Sequence, residues 1–206
     1  MIIKVCGMRE PDNIREVEAL HPTMMGFICW NKSPRYINAA PTYLPTECQR
    51  VCVFVNPSIN YALQMADSLK ADYLQLHGSE TPDFCQELKQ ATGLKIIKAI
   101  SIANSADIEK SEKYQGIADI MLFDTKCATV GGGGVKFDWG VLENYDGATP
   151  FLLSGGITPG DAEAVLSITH PMFAGVDLNS GFESSPAVKK ISELKKFITS
   201  IRYEQN

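Results

Sequence analysis

Eight short apolar runs, rich in Val, Ile, Leu and Phe, recur along the chain with amphipathic stretches between them. They are Ile2 to Val5, Met24 to Trp30, Val51 to Val55, Tyr73 to Leu76, Lys95 to Ala99, Asp119 to Phe123, Pro150 to Ser154 and Phe173 to Val176. Their spacing of roughly 22 to 31 residues is that of one strand–loop–helix–loop unit. Runs that are continuously apolar, rather than alternating, predict parallel strands covered by helices on their outer side.

The helices between them are legible to different degrees. Ser58 suits an N-cap for a helix through Leu69, with Ile59, Ala62, Leu63 and Ala66 on one side. Thr81 followed by Pro82 opens another through Gln90, where Phe84 and Leu88 lie four apart. Thr158-Pro159 does the same for the stretch through Ile168. A last helix over Ala187 to Ile201 buries Ile191, Leu194 and Ile198. Pro41 and Pro45 make the second inter-strand segment irregular, and Ala103 to Gln115 is a weak helix. Eight βα units predict an α/β chain folded as a single (β/α)8 barrel of the TIM type over residues 1–206. A doubly wound open sheet is the alternative, because periodicity does not show closure.

Composition narrows the function. The chain has 206 residues, 45% of them apolar and 21% charged, with a net charge of −5. No basic surplus is present to recruit nucleic acid or an anionic membrane. No apolar run approaches the roughly 18 to 20 residues of a membrane helix, and Met1 leads directly into a strand without a leader pattern, so the expectation is a cytoplasmic protein. The six cysteines, Cys6, Cys29, Cys48, Cys52, Cys85 and Cys127, are scattered and form no CxxC pair, which predicts reduced thiols. His21, His77 and His170 are far apart, so neither a metal nor another cofactor is expected.

In a barrel of this type chemistry gathers at the carboxyl ends of the strands. Alternation places Ile2, Lys4 and Cys6 on one face of the first strand, and an unpaired lysine does not suit the helix layer, so Lys4 and Cys6 are read as facing inward. The same alternation sends Ile120, Leu122 and Asp124 inward, likewise Phe173, Gly175 and Asp177, and aligns Tyr73, Gln75 and His77. Each run thus ends on a polar residue aimed at the barrel mouth. Singly, each is as well explained as a helix cap or a small buried side chain; four converging on one mouth point to a reaction site. Two glycine-bearing loops follow the last two strands, Ser154-Gly155-Gly156-Ile157 and Asp177-Leu178-Asn179-Ser180-Gly181, where phosphate-binding barrels hold their anion on backbone N–H groups. The Gly131 to Gly134 run suits a mobile flap or a plain surface loop.

These residues resemble the phosphoribosylanthranilate isomerase family from end to end. The matching segments include Lys4-Val5-Cys6-Gly7-Met8, Ser33-Pro34-Arg35-Tyr36-Ile37, Leu74-Gln75-Leu76-His77-Gly78, Leu122-Phe123-Asp124-Thr125, Phe137-Asp138-Trp139, Ser154-Gly155-Gly156-Ile157 and Asp177-Leu178-Asn179-Ser180-Gly181-Phe182-Glu183. The resemblance implies a phosphate-binding barrel that performs an Amadori rearrangement in tryptophan biosynthesis. Cys6 corresponds to the general base and Asp124 to the general acid. Arg35 is expected to pair with the anthranilate carboxylate, His77 to line the aromatic side and Asp177 to reach ribose hydroxyls. Gly155, Gly156, Ser180 and Gly181 are expected to hold the phosphate. On this reading the Cys6 thiol should be brought towards neutrality by Lys4 and a helix start after Gly7, and Asp124 raised by burial or a neighbouring anion.

The sequence departs from the family at Met8, at Gly133, and at Ala187 and Lys190, which replace a Gly and an Asp. A histidine-pathway isomerase would use an aspartate where Cys6 stands and lacks a reason for Arg35. An indole-glycerol-phosphate synthase would need a lysine acid and a longer amino-terminal extension. A non-catalytic sugar-phosphate sensor would have no need of both Cys6 and Asp124. A monomer acting on a small-molecule substrate is the expected state.

Overall fold

A computed structural model describes residues 1–125 and 139–203. Eight parallel strands close into a barrel in chain order: β1 (Ile2–Cys6), β2 (Met24–Ile28), β3 (Gln49–Phe54), β4 (Tyr73–Leu76), β5 (Lys95–Ile102), β6 (Ile120–Thr125), β7 (Phe151–Ser154) and β8 (Phe173–Leu178). β8 returns to pair with β1, with Ile2 opposite Gly175 and Lys4 opposite Asp177, so the alternative of an open sheet is excluded. Every apolar run of the sequence is one of these strands.

Alternation sorts the strand side chains into two layers. Met24, Val51, Val53, Tyr73, Ile97, Leu122 and Leu152 fill the barrel interior with Cys6. Ile3, Val5, Phe27, Phe54, Leu74, Phe123 and Val176 face the helices. The inward assignment of Phe173 fails. Phe151 pairs with Phe173 but Leu152 pairs with Gly175, so Ala174 is an extra residue that shifts the register. Ala174 therefore points into the barrel and Phe173 packs outside. Gly175 makes this irregularity possible: its φ is +154°, and a Cβ there would lie 1.9 Å from the Ile2 carbonyl oxygen. Beyond the shift Asp177 regains the inward face.

The outer layer follows local signals where they are strong. Helix α1 (Pro11–Glu18) follows β1. In α2 (Ile59–Leu69) the Ser58 hydroxyl accepts from the Tyr61 N–H, as a cap should. Its buried stripe is Ala62, Met65, Ala66 and Leu69, the i, i+3, i+4, i+7 pattern, which leaves the expected Leu63 only half-buried. In α3 (Pro82–Thr92) Thr81 caps the start, and left-handed Gly93 ends the helix. Between β2 and β3 no helix forms among the described residues, in line with Pro41 and Pro45. Residues Ser105–Tyr114 form a 3₁₀ run opened by reciprocal bonds between Asn104 and Asp107. After β7 a 3₁₀ turn, Pro159–Asp161, leads into α4 (Ala162–Leu166), shorter than the sequence suggested. The last helix, α5 (Ile191–Tyr203), starts four residues later than expected. Ala187 takes a left-handed φ of +70° and turns a hairpin between β9 (Glu183–Ser185) and β10 (Val188–Lys189), which cannot continue as helix. Leu194 and Ile198 are buried as expected, with Ile191 partly so. No helix among the described residues is long and apolar enough to cross a membrane.

Candidate active site

The carboxyl ends of the strands surround a cavity of about 180 Å³. Cys6, Gln75, His77, Asp124 and Asp177 form its floor and walls, and residues 154–157 and 179–181 form one side. Eight of the nine residues singled out in the sequence line it; Arg35 stands outside. A larger cavity of about 300 Å³ lies over Trp139, Leu142, Ala164 and Ile168, outside the barrel and away from the strand ends. Its polar lining residues, Glu143, Asp161, Ser167, Thr169 and His170, lie away from the strand ends where the chemistry of such barrels gathers.

Cys6 and Lys4 point inward from β1, as alternation required. Lys4 is fully buried, and its ammonium donates to Asp177 Oδ1 at 2.8 Å and to the Cys6 sulfur. Burial pulls the Lys4 pKa down, but Asp177 and Cys6 outweigh it, so the lysine stays charged. The Cys6 thiol differs from expectation. Burial pushes its pKa up and Asp177 adds to this, while Lys4 and Lys189 only partly offset the rise. No helix starts directly after Gly7, since α1 begins at Pro11, so the helix-terminus contribution is absent as well. The thiol is a weaker acid than usual, held next to a fixed cation.

Opposite, His77 Nε2 lies 3.2 Å from Asp124 Oδ2. The Asp124 side chain is 30% exposed and lines the cavity. Gln75 Nε2 lies 2.9 Å from His77 Nδ1. With the Gln75 amide N–H turned to Nδ1, that nitrogen accepts, and the tautomer with its proton on Nε2 donates to Asp124. Gln75 Oε1 is buried without a partner. Its inward position was visible in the alternation of β4, but a glutamine after an apolar residue gives no sign of orienting a histidine two residues on.

The two glycine loops meet at the same side of the cavity. Gly155 and Gly156 have φ of +92° and +64°, and Gly181 packs so closely that a Cβ there would lie 2.0 Å from the Ile157 carbonyl oxygen. Ser180–Phe182 forms a short 3₁₀ turn whose backbone starts at this side of the cavity. Two glycine-bearing loops that meet at one cavity wall, with left-handed Gly155 and Gly156 in the first, form the kind of backbone concavity suited to an anion. Asp177, 5% exposed, sits below with the Ser154 hydroxyl 3.5 Å from its Oδ2.

Arg35 lies in the loop after β2, and its guanidinium grips Glu183 rather than facing the cavity directly. Its Nε donates to Oε1 at 2.9 Å and its Nη2 to Oε2 at 2.5 Å. Lys189, buried on β10, donates to Glu183 Oε1 at 2.7 Å and to the Asn179 side chain at 2.8 Å. Glu183 is deprotonated more readily than usual, because bonds from Arg35 and Lys189 outweigh its burial. Sequence reasoning passed over Lys189, which follows no apolar run and reads as an ordinary charged residue in the first turn of the expected Ala187–Ile201 helix. Among the described residues no cluster of three or more His, Cys, Asp or Glu is placed to hold a metal ion. The glycine run at 131–134, Cys127, and Phe137 and Asp138 lie outside the described residues.

A closed barrel with titratable side chains on its strand ends, and with glycine loops after the last two strands, has the architecture of β/α-barrel enzymes of the phosphate-binding class. Comparison with known proteins gives the family. The family model described as "N-(5'phosphoribosyl)anthranilate (PRA) isomerase" matches residues 3–200. An N-(5'-phosphoribosyl)anthranilate isomerase of Parabacteroides distasonis is 51% identical, over 98% of this chain and 93% of the relative. That of Phocaeicola vulgatus is 48% identical over 98% of both. Among solved structures, the phosphoribosyl anthranilate isomerase of Thermotoga maritima is 28% identical with a TM-score of 0.83, covering 98% of this chain and all of its own. Another isomerase structure, in complex with reduced 1-(o-carboxyphenylamino)-1-deoxyribulose 5-phosphate, is 26% identical with a TM-score of 0.81 over 98% of this chain and 100% of that one. The chain belongs to the N-(5'-phosphoribosyl)anthranilate isomerase family.

Proposed function

We propose that this chain isomerises N-(5'-phosphoribosyl)anthranilate to 1-(2-carboxyphenylamino)-1-deoxyribulose 5-phosphate, with Asp124 as general acid and Cys6 as general base. The observation that carries the reading is the meeting of Cys6, His77, Asp124 and Asp177 with both glycine loops in one cavity. Protonated Asp124 gives its proton to the furanose ring oxygen as the C1′–O bond breaks and the nitrogen lone pair forms a protonated Schiff base. The Cys6 thiolate then takes the C2′ proton, and that electron pair forms the C1′–C2′ double bond of an enolamine. C1′ gains a proton while the 2′-hydroxyl loses one, which leaves the ketone and returns both protons. Lys4 stabilises the thiolate that this step needs.

Gly155, Gly156, Ser180 and Gly181 hold the phosphate on backbone N–H groups, and Asp177 faces the ribose hydroxyls. His77 lines the aromatic side while fixing Asp124. Arg35 takes the anthranilate carboxylate. Residues 1–206 act as one barrel domain. A monomer is the proposed working unit, and among the described residues one copy lines the cavity with Cys6, Gln75, His77, Asp124 and Asp177. A thiol base must stay reduced, which supports a cytoplasmic location.

The test is the fluorescence of phosphoribosylanthranilate, followed after adding the purified protein and coupled to removal of the product. Catalysed loss of fluorescence is expected. Saturable binding of the substrate without its consumption would instead make the chain a sugar-phosphate sensor.

A further inference from the structure

The reaction scheme uses Arg35 but not the residues that hold it. A guanidinium presents two edges that match a carboxylate, the Nε–Nη2 side and the Nη1–Nη2 end. Glu183 takes the side edge, at 2.9 and 3.0 Å from Nε and 2.5 Å from Nη2. Nη1 donates to no described residue, and the Arg35 side chain remains 18% exposed while that of Glu183 is 5% exposed. The inner edge is therefore committed, and among the described residues none takes the outer edge.

The charges agree with this division. Arg35 and Lys189 carry two positive charges and Glu183 one negative, so the cluster has a net charge of +1. Lys189 is fully buried in its side chain, and its main chain is pinned to α1, where Asn13 accepts from Lys189 N–H at 2.7 Å and donates to its carbonyl at 3.0 Å. Its ammonium bridges Glu183 and Asn179, and Asn179 lines the cavity beside the second glycine loop. A buried carboxylate with two charged donors and a further bond from the Ala187 N–H at 3.2 Å has its geometry fixed.

We propose that Glu183 is a positioning residue that holds Arg35 by its side edge so that the outer edge meets the carboxylate of the substrate, and that Lys189 anchors Glu183 to Asn179 in the cavity wall. The excess positive charge then complements one carboxylate. The hold on the aromatic end of the substrate and the loop after β8 become one ionic unit. This inference rests on the reading of Arg35 given under the proposed function.

The experiment compares Glu183→Gln, Arg35→Met and the double variant on two substrates, phosphoribosylanthranilate and its aniline analogue, which lacks the carboxylate. Glu183→Gln should raise KM for the anthranilate substrate about tenfold and change kcat by less than about twofold, within the coupling seen between neighbours of one ionic network. KM for the aniline analogue should not move. Arg35→Met should raise KM on the anthranilate substrate alone, and the double variant should add little to it. Parental KM in Glu183→Gln beside a raised KM in Arg35→Met would overturn the positioning role and leave the Arg35 reading standing. No effect of Arg35→Met would remove that reading and the inference with it. Equal losses on both substrates would make Glu183 structural and overturn the inference. If Glu183→Gln fails to fold with Lys189 unpaired, Glu183→Gln/Lys189→Met removes both charges. It should fold and keep the raised KM on the anthranilate substrate, whereas a parental KM in it would contradict the proposal.

Discussion

Lys98–Glu80 and Lys4–Asp177 are both buried lysine–carboxylate pairs with N–O distances of 2.8 Å, yet their surroundings differ. The Lys98 ammonium donates to Glu80 and to the carbonyls of Leu76 and Gly78, which uses its three N–H bonds. Glu80 in turn accepts from the N–H groups of Asn56 and Gly78. Neither residue lines the cavity. This pair fastens the turn after β4 from behind, and it has no capacity left for a ligand. Lys4 bonds to Asp177 and to a thiol, and both of these partners line the cavity. The same chemical pair is thus structural where it is saturated and functional where its partners face open space. Burial alone does not tell the two apart. Counting filled donors and acceptors does.

The largest effect should come from the cavity and leave stability alone. Asp124→Asn keeps the shape of the acid but has no proton to donate, so kcat/KM should fall about 10²- to 10⁴-fold with the melting temperature nearly unchanged. Steady-state assays of a variant checked by thermal melting decide it, and turnover within a few-fold of the parent would move the ring-opening proton elsewhere.

The comparison is sharpened by cutting one lysine from each pair. Lys98→Met leaves Glu80 buried without its counter-charge, a loss of about 3 to 5 kcal/mol. For a domain of this size that lowers Tm by roughly 6 to 20 °C, while turnover per folded molecule should stay close to parental. Lys4→Met should lose stability too, but it also removes the cation beside Cys6, and each unit by which the thiol pKa then rises costs about tenfold in thiolate. Paired melting curves and kcat/KM values read both effects. If Lys98→Met lost activity as Lys4→Met does, saturation would not separate structural from functional pairs.

Much of this was legible in the sequence, and the exceptions have physical causes. Strands buried on both faces leave continuous apolar runs, so all eight were visible, and strict alternation put Lys4, Cys6, Gln75, His77, Asp124 and Asp177 on the inner face. Alternation failed at Phe173 because an extra residue between two paired positions shifts the register, and only Gly175 hinted at it. The start of the last helix was misplaced because Ala187 has a left-handed backbone that its side chain gives no reason to expect. Arg35 was recognised through family resemblance, but its Glu183 partner is 148 residues away in the chain, a pairing that local pattern does not carry. The Cys6 thiol was expected to be acidified because the neighbouring cation was visible from alternation, whereas the larger opposing contribution, burial, depends on packing from other strands.

The central claim is that Cys6 removes the C2′ proton, and the most direct test is kcat/KM against pH for the parent and for folded Cys6→Ala. Because burial raises the thiol pKa, the parent should gain kcat/KM as pH rises through the alkaline range and the thiolate forms. Cys6→Ala should lie about 10²- to 10⁴-fold lower and lack that alkaline limb. A folded Cys6→Ala protein that kept both the limb and near-parental kcat/KM would contradict the assignment of the base.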